Sequence, residues 1–255
     1  MGKIIAFANQ KGGVGKTTSA INVAASLGQL GKRGLLVDLD PQGTTTSGLG
    51  GAKKSLKCTT NEILVEEANA ADAIIKTNFA NLSVIPTNIA LAGAEFELYT
   101  GERAQYRLRD ALEPLRDSGD YDYIIIDCPP SLGLLTMNGL AAADGVIIPM
   151  QCEFYALEGL AQLMITVGRI KKSCNPDLMV TGILVTMYNG RLVLSMQVMN
   201  ELKKHYGDKL FRTTISRNVR LTEAPGFGMP VFYHDKHSKG AQEYIAVANE
   251  LIMRI

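Results

Sequence analysis

Short runs of branched and aliphatic residues alternate with longer amphipathic stretches along the chain. Six runs read as strands, at residues 3–8, 34–38, 82–85, 123–127, 145–149 and 179–186. Most are nearly continuous in Ile, Val and Leu, the pattern of strands buried on both faces. Helical spacing fills the intervals, at about 17–30, 91–117, 134–143, 157–173, 192–205 and 241–254. Such alternation implies parallel strands joined by right-handed crossovers. The predicted fold is α/β: a single-domain doubly wound, mostly parallel sheet flanked by helices over residues 1–255. No Pro- or Ser-rich linker, repeat or low-complexity segment divides the chain.

Composition adds a few bounds. Apolar residues make up 46% of the 255, enough for a sizeable core. Cys58, Cys128, Cys152 and Cys174 form no C-x-x-C pair, which suits reduced thiols better than a disulfide scaffold or zinc site. No apolar run approaches the roughly 18 residues needed to cross a bilayer. Residues 1–8 lack the apolar length and cleavage site of a signal peptide. A soluble, cytoplasmic protein is expected. The net charge of +1 speaks against nucleic acid if it is taken over the whole chain.

The strongest chemistry lies at the end of the first strand, in Asn9-Gln10-Lys11-Gly12-Gly13-Val14-Gly15-Lys16-Thr17-Thr18, followed by a helix. Glycines let a backbone curl with its N–H groups around phosphate oxygens, and the helix adds the positive end of its dipole. Lys16 is placed to reach the β- and γ-phosphates, and the Thr17 hydroxyl to ligate Mg²⁺. The strict pattern has Gly where Gln10 stands; this loop instead opens with a second lysine, Lys11. Strand two ends in Val37-Asp38-Leu39-Asp40-Pro41-Gln42-Gly43, placing carboxylates where ligands bind in such sheets. Ile124-Ile125-Ile126-Asp127 closes a hydrophobic run on one Asp, the arrangement in which a carboxylate holds Mg²⁺ through its water shell.

The segment Lys11-Gly12-Gly13-Val14-Gly15-Lys16-Thr17 resembles the deviant Walker A motif of the ParA/MinD family of P-loop ATPases. Similarity to the Soj/ParA branch extends through Ile85-Pro86, residues 91–95, 129–136 and 155–160, and Arg217-Asn218-Val219-Arg220-Leu221-Thr222-Glu223-Ala224-Pro225, so it covers essentially the whole chain. The resemblance implies a P-loop NTPase fold, ATP and Mg²⁺ as ligands, and hydrolysis of ATP to ADP and phosphate. Lys16 would neutralise phosphates within its own protomer. Lys11 would reach the nucleotide of a second protomer in an ATP-dependent homodimer; read without the family, it is equally a solvated loop lysine. Asp40 would orient the attacking water, Asp38 would at least shape the loop, and Gly12 would lie at the dimer seam. Met187 and the segment Ile215-Ser216-Arg217-Asn218 are the expected base contacts, although Ser216 stands where the family often has Pro.

Resolved along the chain, the charge looks different. Residues 1–127 hold 13 basic and 15 acidic side chains, and residues 128–255 hold 13 and 10. The window 186–240 carries nine basic residues (Arg191, Lys203, Lys204, Lys209, Arg212, Arg217, Arg220, Lys236 and Lys239) against Glu201, Asp208, Glu223 and Asp235. By composition this window reads first as a solvated basic face, and second as a surface able to reach phosphates without reading bases. The resemblance favours the second: it implies that Arg191 and Arg220 contact nonspecific double-stranded DNA, with Lys203, Lys204 and Lys236 as further candidates. It also implies a ParB-like activator, a partitioning role and a nucleoid location. The alternatives are a nucleotide-gated regulator of replication or transcription and a membrane-cycling ATPase. The apolar stripe of residues 241–254 lacks the basic polar face of a membrane anchor and is expected to pack in the core, with no membrane partner. His234 and His237 read as loop residues rather than metal ligands. The phosphate loop begins within the first dozen residues, so no upstream operator-reading domain is expected.

Overall fold

The computed structural model describes residues 1–51, 56–99, 101 and 103–255. A seven-stranded sheet organises them: β1 (Lys3–Phe7), β2 (Gly34–Asp38), β3 (Ile75–Lys76), β4 (Leu82–Ile85), β5 (Tyr123–Asp127), β6 (Gly145–Met150) and β7 (Met179–Val185). Their order is β3-β4-β2-β5-β1-β6-β7. All neighbours run parallel except β3 and β4. Periodicity misses β3 because it is two exposed residues at the sheet edge. A strand that short carries no pattern, and brevity at an edge limits unwanted pairing.

The helices are α1 (Lys16–Gln29), α2 (Thr44–Gly48), α3 (Thr60–Val65), α4 (Leu91–Leu98), α5 (Arg107–Asp117), α6 (Leu134–Ala142), α7 (Ala156–Ser173), α8 (Val193–Tyr206), α9 (Val219–Glu223), α10 (Val231–His234) and α11 (Lys239–Arg254). Alternate residues of the central strands enter different cores. Ile4, Ala6, Ile124 and Ile126 face a core built with α3 to α8, whereas Ile5, Phe7 and Ile125 face one built with α1, α10 and α11. Helices on both faces explain why these strands are continuously apolar.

The interval predicted as one helix over 91–117 is two, α4 and α5; residues 100 and 102 of it lie outside the described residues. Arg103 adopts a left-handed φ of 56°, and a short 3₁₀ turn at Ala104–Tyr106 follows. Asn138, fully buried on α6, holds the break. Its Nδ2 donates to Ala104 O at 2.8 Å and its Oδ1 accepts from Leu108 N at 3.1 Å. Each of the two segments carries helical apolar spacing, and the buried Asn138 amide, bonded to backbone groups at Ala104 and Leu108, holds the interruption between them.

The last helix, α11, buries Tyr244, Val247, Ala248 and Leu251 in the core shared with α1. The Tyr244 hydroxyl shares a 3.0 Å hydrogen bond with Ser19 Oγ on α1. At the centre of the sheet β1 lies between β5 and β6, so the chain leaves its carboxyl end at a topological switch point. The crevice there opens where the connections diverge.

Candidate nucleotide site and basic segment

The turn after β1 places Lys11 to Gly15 at that crevice. Gly13 and Gly15 adopt φ values of 73° and 83°, open to glycine but strained for other residues. α1 starts at Lys16 with no acidic residue in its first turn, leaving its dipole and unpaired N–H groups to an incoming anion. Lys16 is buried and folds back across the loop, its Nζ donating to Lys11 O at 3.2 Å. Burial lowers its pKa, against the attraction of Asp127 and Asp40. Three supports are invisible locally in the sequence. Gln151 Nε2 donates to Gly13 O at 2.8 Å, Thr186 Oγ1 donates to Val14 O at 2.8 Å, and Glu153 pairs with Lys11. All three come from segments just beyond β6 and β7, brought beside the loop by strand order.

Asp127 closes β5 and Asp38 closes β2, and the two pair across adjacent strands. Both are fully buried. Burial raises the Asp38 pKa to about 6, against hydrogen bonds from Thr46. Its Oδ2 accepts from Thr46 N and Oγ1 at 2.8 and 2.7 Å, and its Oδ1 from Asp40 N at 3.3 Å, so Asp38 fixes the loop that carries Asp40. Asp40 is half-buried and accepts from Gln42 N at 3.0 Å. Burial, then the facing Asp38, raises the Asp127 pKa to about 7, while the Thr45 and Thr17 hydroxyls draw it down. Thr45 Oγ1 donates to its Oδ2 at 2.8 Å, and its buried Oδ1 has no hydrogen-bond partner among the described residues. A buried carboxylate oxygen of this kind, beside a phosphate-loop hydroxyl, suits a hard divalent cation. Mg²⁺ takes oxygen ligands, keeps several waters and needs few protein groups.

Beyond the loop lies a cavity of about 310 Å³, with Gly15 and Thr18 at one end. Met187, Ile215, Ser216, Arg217 and Asn218 line it, so both segments expected at the base meet in one pocket. Leu221, Pro225 and Tyr244 complete its apolar wall. Met187 turns with φ of 49°, left-handed for a residue with a side chain. Ser216 donates from N and Oγ to Glu243 Oε2 at 2.9 and 3.0 Å. The backbone bond requires the N–H that a proline would lack.

The basic window divides. Tyr188 pairs with Ser216, so the Arg191 loop runs beside the Arg217 segment. Arg220 lies in the first turn of α9, and Asp235 contacts it at 3.4 Å, which brings Lys236 to the same corner. Lys203 and Lys204 belong to a different place. They lie in the last turn of α8, about 15 Å along the helix axis from the end nearest Arg191. All five candidates are exposed.

A family model described as an AAA domain matches residues 2–180. The sporulation initiation inhibitor protein Soj of Bacillus subtilis is 53% identical over 98% of both chains. The chromosome partitioning protein ParA of Caulobacter vibrioides is 49% identical over 99% of this chain and 94% of its own. Among solved structures, cobyrinic acid a,c-diamide synthase from Mycobacterium smegmatis with bound ATP analogue and magnesium superposes with a TM-score of 0.85. It is 38% identical, and the match covers 99% of this chain and 95% of that one. The deviant phosphate loop, the sheet order and these near-full-length matches agree: the chain belongs to the ParA/MinD family of P-loop ATPases, alongside the Soj and ParA partitioning proteins.

Proposed function

We propose that the chain is an ATP hydrolase, a single ParA-like domain, that dimerises on ATP, binds duplex DNA nonspecifically and drives chromosome or plasmid partitioning with a ParB-like activator at the nucleoid. The observation that carries this reading is the pairing of a complete phosphate loop with the unpartnered Asp127 Oδ1 beside Thr17. Lys16 and the N–H groups of Gly13 to Thr18 would hold the triphosphate, with the base in the cavity lined by Met187, Arg217 and Asn218. Thr17 and Asp127 would hold Mg²⁺, which when bound neutralises charge between the β- and γ-phosphates.

Asp40, fixed through Asp38, stands near Lys16 and would orient the attacking water. Hydrolysis then rests on positioning and charge neutralisation. Lys11 is half-exposed and paired with Glu153, not turned into its own loop. That supports its use on a partner protomer's nucleotide, with Gly12 at the seam. Pairing two protomers would also join two weak DNA half-sites, so ATP would switch DNA binding on. DNA co-sedimentation with and without ATP tests this. Binding by the wild type with ATP, lost without it and lost in Lys16→Ala, is the expected result; equal binding in all three would overturn it.

The B. subtilis relative is a sporulation initiation inhibitor, and the second reading is a dimer that itself regulates replication or transcription while turnover only resets it. Stimulation of ATP turnover by a basic ParB-type peptide supports partitioning; its absence with every cognate peptide supports the regulator. The burial of α11 against α1 weighs against a membrane-cycling role.

A further inference from the structure

Arg220 is exposed, but its guanidinium is not free. Nη1 donates to Glu223 Oε2 at 2.8 Å, and Nε lies 3.4 Å from Asp235 Oδ2. The same Glu223 oxygen is 3.4 Å from His234 Nε2, and His234 stacks on Phe227 with ring centroids 5.0 Å apart. Asn218 fixes the start of α9 by accepting from Arg220 N at 2.8 Å. Two carboxylates from different elements, α9 and the turn after α10, therefore converge on one arginine within an otherwise basic window. The Arg191 loop differs: Arg191 N donates to Asn189 Oδ1 in a local turn, and no carboxylate among the described residues pairs with the Arg191 side chain.

Resting on the DNA-binding reading above, we propose that Glu223, assisted by Asp235, is a built-in competitor for the DNA phosphate at Arg220. It occupies one guanidinium N–H that a phosphate would take, with Asp235 facing Nε, so each half-site binds DNA more weakly than its basic side chains alone would allow. A phosphate must displace a carboxylate to reach the arginine. The consequence is low affinity for one protomer and reliance on two. α9 also supplies Leu221 and Thr222 to the wall of the base cavity, so the competing carboxylate and the nucleotide pocket share one short helix.

The test is DNA affinity with Mg-ATP for Glu223→Gln, Arg220→Ala, the double variant, and Asp208→Asn. Asp208 lies in the same basic window outside this cluster, so Asp208→Asn makes an equal change of charge. Thermal unfolding checks that each variant is folded, and Asp235→Asn is a second probe expected to act in the same direction. An exposed ion pair of this type is worth a few-fold in binding. Glu223→Gln should tighten DNA binding by about two- to fivefold per protomer, hence about four- to twenty-fivefold for a dimer engaging both. Asp208→Asn should give clearly less, and the gain should vanish when Arg220 is alanine. An equal gain in Asp208→Asn, no gain in Glu223→Gln, or a gain that survives Arg220→Ala overturns the competitor while leaving DNA binding intact. Undiminished binding by Arg220→Ala removes this arginine from the interface and overturns the proposal with it. Absence of DNA binding by the wild-type chain with Mg-ATP overturns the functional reading itself.

Discussion

At Gly15 the backbone sits at φ 83°, and a Cβ built there would meet Thr186 only at ordinary contact distance, 3.6 Å. The cost of Gly15→Ala is therefore backbone strain, about 1–2 kcal/mol, and its thermal midpoint should fall by several degrees. Gly12 differs: it lies outside the left-handed region, and a Cβ there would meet nothing among the described residues within 4 Å. Gly12→Ala should unfold at the wild-type temperature yet fail to dimerise with ATP, read by size-exclusion light scattering. A lowered midpoint would give Gly12 a structural role within the protomer; a normal dimer would remove it from the seam. Lys16 and Thr17 are legible in the sequence because phosphate and metal chemistry require them next to each other in one loop. Gln151, Glu153 and Thr186 are not, because they reach the loop only through the placement of β6 and β7.

The elements show the same division between local and long-range causes. Continuous apolar runs reveal the six long strands, whereas the α4–α5 break depends on Asn138 from another helix. The docking of α11 depends on Glu250 in the same way. Its carboxylate accepts from Arg212 N at 2.9 Å, Thr213 N at 3.2 Å and Arg254 Nη2 at 2.8 Å, while Arg254 lies 4.3 Å over the Phe211 ring. Burial acts to raise the Glu250 pKa, but the hydrogen bonds from Arg212, Arg254 and Thr213 outweigh it and hold it below the ordinary value. A depressed folded pKa contributes stability above the unfolded glutamate value of about 4.3, and that contribution is lost as pH falls through the folded one. Glu250→Gln should thus cost about 1.5–3 kcal/mol at pH 7. The gap to wild type in urea-unfolding free energy should close below about pH 4. A gap that stays constant with pH would mean that Glu250 acts by shape rather than charge.

For the whole molecule, a net charge of +1 is the sum of unlike parts. The half that carries the phosphate loop and both buried aspartates is slightly acidic, while the window holding Arg191, Arg217 and Arg220 has nine basic residues against four acidic. Folding separates that window again, sending Lys203 and Lys204 to the far end of α8. What remains at the Arg191–Arg220 corner is a small group, which under the proposed DNA binding would neutralise about three phosphates per protomer. Counterion release then gives log K against log salt a slope near −2.7 for one protomer and near −5.4 for an ATP-bound pair. Gly12→Ala should stay near the shallower value with ATP, because it retains every basic side chain but lacks the second half-site. Fluorescence anisotropy of a labelled duplex across salt concentrations measures both slopes. A wild-type slope that does not steepen on adding ATP would show that dimerisation does not join two half-sites. A slope near −5.4 in Gly12→Ala that light scattering finds monomeric with ATP would show that one protomer already carries the full footprint, with Lys203 and Lys204 as the nearest additional contacts.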